Sequence, residues 1–134
     1  MGNKMDKILA EISAGELIDK ITILEIKKSK ISNKEKIVQI EKEYISLIDT
    51  TKKIDNFKME DFKKHKDNLK KINLKLWEIE DKLRILEKEK KFDNSFIELA
   101  RSVYINNDQR AKIKSLINDL SGSNIREVKD YNEY

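Results

Sequence analysis

Apolar residues recur every three to four positions along most of this chain, and polar residues fill the space between them. Leu17, Ile21, Leu24 and Ile31 mark one face, and Ile37, Ile40, Tyr44, Leu47 and Ile54 mark a second. Phe62, His65, Leu69, Ile72, Leu76, Ile79, Leu83 and Leu86 then alternate threes and fours over more than three heptads. Such spacing belongs to helices and to coiled-coil seams, since strands alternate every second residue. Capping signals divide the runs. Ser13 with Glu16 forms a capping box, with Ile12 and Leu17 as its hydrophobic staple, and predicts a first helix over 14–31. Ser32 with Glu35 repeats the box and predicts a second helix reaching about residue 54. Asp55-Asn56 reads as a turn, and the third helix, 59–90, would be roughly 48 Å long at the helical rise. Asp93, stapled by Phe92 and Ile97, opens a short fourth helix; Asn106 with Gln109 opens a fifth, which Gly122 ends.

The predicted fold is therefore all-α, a long helical hairpin or bundle of about five helices. It forms a single domain over 1–134: an N-terminal segment 1–12, a bundle 13–121 and a polar C-terminal tail 122–134. Lys7–Ile12 and Ile125–Val128 are too short for alternation to decide between a small two-strand pairing and extra helical turns. The seam of the third helix needs a partner. Helix 2, folded back as an antiparallel hairpin, meets that need most simply. The alternative is a parallel coiled-coil homodimer, with Lys75 and Lys82 at g positions facing Glu80 and Glu87 at e positions.

Composition narrows the class. Proline and cysteine are absent and charged residues reach 40%, which suits long thin helices and excludes disulfides and thiolate chemistry. No apolar run approaches the roughly 18 residues of a membrane span, and the start lacks a signal-peptide core, so a cytoplasmic protein is expected. The net charge is +4, its excess concentrated between residues 51 and 92. There Lys63, Lys64, Lys66, Lys70, Lys71 and Lys75 point around a helix with acids interleaved, a solvated surface that argues against nucleic-acid binding. A single histidine, His65, excludes paired Glu-x-x-His di-iron sites. Gly-rich phosphate loops and dinucleotide fingerprints are missing as well.

Candidate chemistry concentrates in residues 76–114, which hold the only tryptophan, Trp77, and Arg84, Arg101 and Arg110, three of the four arginines. Arginine presents a planar fork that grips carboxylates and phosphates bidentately, so the set reads either as an anion site or as structural clasps. In the first reading Arg101, Arg110 and Lys114 converge on an anion at the N-terminus of the fifth helix, with Trp77, Arg84, Tyr104, Asn107 and Asp108 nearby. In the second, Arg101 and Arg110 clasp Glu80, Asp81 or Asp108. Two carboxylate pairs one helical turn apart, Glu16 with Asp19 and Glu78 with Asp81, could hold Mg²⁺; otherwise they are capping and surface charges. No other cofactor is implied.

Four stretches carry a family resemblance: ISAGELIDKITILEIK (12–27), LWEIEDKLR (76–84), FIELARSVYINNDQRAKIK (96–114) and the ending from INDLSGS onward. Together they resemble an uncharacterised bacterial family catalogued as domain of unknown function 6165. The family's tail resembles Glu-Glu-Lys-Ser-Tyr, whereas this chain has Arg126-Glu127-Val128-Lys129-Asp130-Tyr131. Members tend to lie near glycosyltransferase and surface-polysaccharide genes, so the resemblance implies a role in glycan assembly. If helices 1, 3 and 4 pack together, Glu16, Asp19, Lys20, Glu25, Lys27, Trp77, Glu80 and Asp81 would line a cleft with Arg84, Glu98, Arg101, Tyr104, Asn107, Asp108, Arg110 and Lys114. The leading reading is a non-enzymatic module that binds a protein partner or an anionic small molecule such as a sugar nucleotide. An Mg²⁺-dependent all-α hydrolase of nucleotides or phosphate esters and a structural coiled-coil homodimer are the alternatives.

Overall fold

A computed structural model describes residues 5–54 and 59–134. It contains α1 (Ala14–Lys30), α2 (Lys34–Thr50), α3 (Met59–Lys88) and α4 (Asn94–Ser121), with one 3₁₀ turn at Thr51–Lys53. No strand occurs among the described residues. The turn expected at Asp55-Asn56 lies outside them.

Local chemistry explains most boundaries. Ser13 caps α1, its hydroxyl accepting from the Glu16 amide at 3.1 Å. α2 starts one residue later than the Ser32 box predicts, because the side chain of Asn33 accepts from the Lys36 amide at 3.0 Å. The end of α3 is a Schellman turn: Lys91 N–H reaches the Leu86 carbonyl at 2.9 Å and Lys90 N–H reaches Glu87 at 3.1 Å. Lys90 takes the left-handed conformation that glycine usually supplies there, at φ 57°. Asp93 then caps α4 by accepting from Ser95 and Phe96, and Gly122, at φ 67°, closes it.

Two expectations are corrected. The fourth and fifth predicted helices are one helix, and Asn106 lies inside it. Its amide donates to the Ser102 carbonyl one turn back at 2.7 Å, so the residue is satisfied within the helix and caps nothing. The terminal segments form no sheet; Asn124 and Glu11 meet in one side-chain hydrogen bond of 2.7 Å.

The partner of α3 also differs from expectation. α3 packs most extensively on α4 and next on α1, whereas α2 packs on α1. Leu17, Ile18 and Ile21 of α1, Leu69 of α3 and Ile117 of α4 form the buried centre, with Tyr44, Leu47, Phe62 and Ile113 around it. Each such aliphatic side chain contributes roughly 1.5–3 kcal/mol when fully buried. Leu69 and Ile79, members of the heptad seam, are thus buried inside the chain. Lys28 fastens α2 to α1, 2.9 Å from Glu41 and 4.2 Å from the centre of the Tyr44 ring. Among the described residues, no helix is long and apolar enough to cross a membrane.

Candidate functional site

α1 and α4 run antiparallel and are joined by a series of polar contacts. At its start, the free amides of α1, which no helical carbonyl can satisfy, find partners across the interface. Ala14 N–H donates to Ser123 Oγ at 3.1 Å and Gly15 N–H to Asn118 Oδ1 at 2.6 Å. Gly15 permits this closeness, since a Cβ there would run into the Lys114 carbonyl and stand 2.9 Å from Asn118 Oδ1. One turn on, Lys114 Nζ donates to Glu16 at 2.6 Å and to Glu127 at 2.8 Å. Further along, Arg110 grips Asp19 bidentately, its Nε 2.9 Å from Oδ1 and its Nη2 on Oδ2.

Asp19 is only 1% exposed, so its charge must be matched on every side. α3 completes the set through Asn73, whose amide donates to Asp19 Oδ1 at 2.8 Å and to Thr22 Oγ1 at 2.9 Å. The Thr22 hydroxyl in turn donates to the Asp19 carbonyl at 2.8 Å. One carboxylate therefore ties three helices. Among the described residues, no buried side-chain nitrogen or oxygen lacks a hydrogen-bond partner.

The electrostatic consequences follow. The Asp19 carboxylate holds the Arg110 guanidinium more firmly protonated than usual. For Lys114, burial favours the neutral amine, but hydrogen bonds to Glu127 and Glu16 outweigh it and its pKa rises. The Lys114 ammonium in turn pulls Glu127 below the ordinary carboxylate range. On another face of α1, burial pushes the Glu25 carboxyl up, yet hydrogen bonds from Lys66 and Lys70 together leave it lowered.

Beside the Asp19 clasp, the three helices leave a cavity of about 390 Å³, within the range of small-molecule sites. Arg110 and buried Asn73 form one end. Ile23, Ile26, Leu76 and Val103 give it apolar walls, and Trp77 adds an aromatic one. Glu80, Asp81 and Arg84 line the solvent end, with Asn107 on the α4 side. Arg84 is 79% exposed and stands 3.7 Å from Glu80. The Asp81 side chain makes no hydrogen bond or ion pair with another described residue.

Of the residues selected from sequence, Trp77, Glu80, Asp81, Arg84, Asn107 and Arg110 share this cavity. Asp19 lies directly behind Arg110, and Glu16 and Lys114 lie one turn beyond. Tyr104 and Asp108 line a neighbouring cavity against segment 129–134. The expected anion cradle of Arg101, Arg110 and Lys114 does not form, because no helix starts at Asn106. Arg101 instead pairs with Glu98 at 3.0 Å on the exposed face, and Arg110 clasps Asp19 rather than Glu80, Asp81 or Asp108. Glu98 and Lys20 are exposed, and Glu25 and Lys27 are not among the cavity residues.

The acidic pairs are divided too. Glu16 and Asp19 face Lys114 and Arg110 rather than each other. Glu78 is exposed on α3, and only Asp81 of its pair reaches the cavity. Among the described residues, no three His, Cys, Asp or Glu side chains gather as a metal-ligating group.

Sequence reasoning passed over Asn73, Thr22, Asn118 and Glu127. Asn73 offered one signal, lying four residues from both Leu69 and Trp77, on a face that turns inward. The other three depend on which helices meet.

Four packed helices, one buried clasp and one half-open cavity define an all-helical protein with a candidate small-molecule site. The chain belongs to the family of unknown function DUF6165, whose model matches residues 8–134. No curated protein and no solved structure matches it.

Proposed function

We propose that the cavity between α1, α3 and α4 is a ligand site, and that the protein is a binding module for a small molecule combining a ring with an anionic group. A sugar nucleotide is the class that fits best. The supporting observation is that Trp77, Glu80, Asp81, Arg84, Asn107 and Arg110 line one cavity of suitable size. An indole face favours the apolar face of a ring. Carboxylates and carboxamides accept from and donate to hydroxyls, and an exposed guanidinium suits a phosphate. Arg84 supplies that guanidinium, because Arg110 is engaged with Asp19. A setting in glycan assembly rests on the family resemblance alone.

Trp77 is the only tryptophan, so its fluorescence reports on this cavity without labelling. Titration with UDP-, GDP- and dTDP-glucose should give a saturable change with at least one of them, and Arg84→Ala should weaken it about tenfold, as loss of a charge-assisted contact does. Absence of a saturable response to all three would refute the reading. Release of a nucleoside monophosphate in the presence of Mg²⁺ would favour the hydrolase alternative.

A further inference from the structure

Segment 123–134 has neither helix nor strand, yet it is fastened to α4 at two places. Glu127 is held by Lys114 at 2.8 Å and Arg126 by Asp119. Near the other end, the Tyr134 hydroxyl donates to Asp108 at 2.6 Å, and its ring lies 5.2 Å from that of Tyr104. Between these ties the segment and α4 enclose a second cavity, of about 440 Å³.

This second cavity adjoins the first. Val103 and Asn107, one turn apart on the same face of α4, line both. Their chemistry differs. The first has one indole and several ionised groups, whereas Tyr104, Tyr131 and Tyr134 give the second an aromatic wall beside the carboxamides of Asn107 and Asn132. Tyrosine rings favour planar π systems, and a carboxamide offers a donor and an acceptor side by side, which matches the edge of a heterocycle. Lys129, 3.5 Å from Glu127, adds a cation to the lining.

We infer that segment 129–134 forms the second half of the ligand site, a compartment in which a planar heterocycle of nucleobase type stacks on Tyr131 and Tyr134 while the rest of the ligand passes Asn107 into the Trp77 cavity. This rests on the function proposed above and specifies which part of the ligand each cavity takes. A bound nucleobase displaces the Tyr134 ring from Tyr104 or lies beside it.

The test compares three probes by Trp77 fluorescence: the nucleotide sugar that responds best, its parent nucleoside diphosphate, and glucose 1-phosphate. The intact chain and the variants Tyr131→Ala, Tyr134→Ala and Tyr134→Phe are titrated with each. Tyr131 and Tyr134 are both about three-quarters exposed, so the variants should melt as the parent does. The parent should prefer the nucleotide sugar over glucose 1-phosphate by at least about tenfold, and each alanine variant should lose about that preference, with glucose 1-phosphate unaffected. Tyr134→Phe, which keeps the ring, should retain most of it. Alanine variants that keep the full preference, or a parent that binds glucose 1-phosphate as well as the nucleotide sugar, would overturn the inference and leave the Trp77 site standing. A parent that responds to none of the probes would overturn both.

Discussion

Arg110 and Arg84 line opposite ends of the same cavity, yet only one of them is committed. Arg110 is held bidentately by a carboxylate that is 1% exposed, on a frame that Asn73 and Thr22 complete. Arg84 is 79% exposed, with Glu80 at 3.7 Å as its nearest acid. An ion pair whose carboxylate is buried and also held by Asn73 fixes how helices meet, whereas an exposed guanidinium contributes little to stability and stays available to a ligand. The clasp end of the cavity is thus structural, and the open end is where binding is placed.

The largest effect should come from breaking the clasp. Arg110→Ala strands the Asp19 charge in the interior, and such losses cost about 3–5 kcal/mol. In a chain of this size that should lower Tm by roughly 10 °C or more in calorimetry. Next comes Gly15→Ala, whose methyl group would meet the Lys114 carbonyl and push α1 from α4. Overpacking of this kind costs about 1–3 kcal/mol, measurable by urea unfolding.

Acid should act through Glu25 and Glu127, both lowered in the folded state. Their contribution is fully present above the unfolded value of 4.5 and is lost as pH falls below it through the folded values. Unfolding followed between pH 6 and 3 should show this loss, and Glu25→Gln should flatten part of the slope. A smaller gain should come from Lys90→Gly, which relieves a side chain from the left-handed region and should add up to about 1 kcal/mol. Arg101→Ala should leave Tm unchanged, because its pairing with Glu98 lies on the exposed face.

Local signals were legible in the sequence: Ser13 and Asp93 as caps, Gly122 as a stop, and the long run of α3. The Asn106 signal misled because a residue that can cap a helix can also bond one turn back within it. The Ser32 box misled by one residue, since neighbouring Asn33 competes for the same role. Polar candidates of α3 and α4 line one cavity, but those of α1 do not, and α1 contributes Ile23 and Ile26 to it instead. Which arginine would be a clasp was not legible, because Asp19 and Arg110 are far apart in sequence and meet only through the packing of α1 on α4.

The most direct measurement pairs thermal melting with Trp77 fluorescence titration of the responding nucleotide sugar, for Arg84→Ala and Arg110→Ala side by side. The account predicts that Arg84→Ala keeps the parental Tm and loses about tenfold in affinity, while Arg110→Ala loses stability first. An Arg84→Ala variant that binds as the parent does, or an Arg110→Ala variant that melts as the parent does, would contradict the division between a structural end and a binding end.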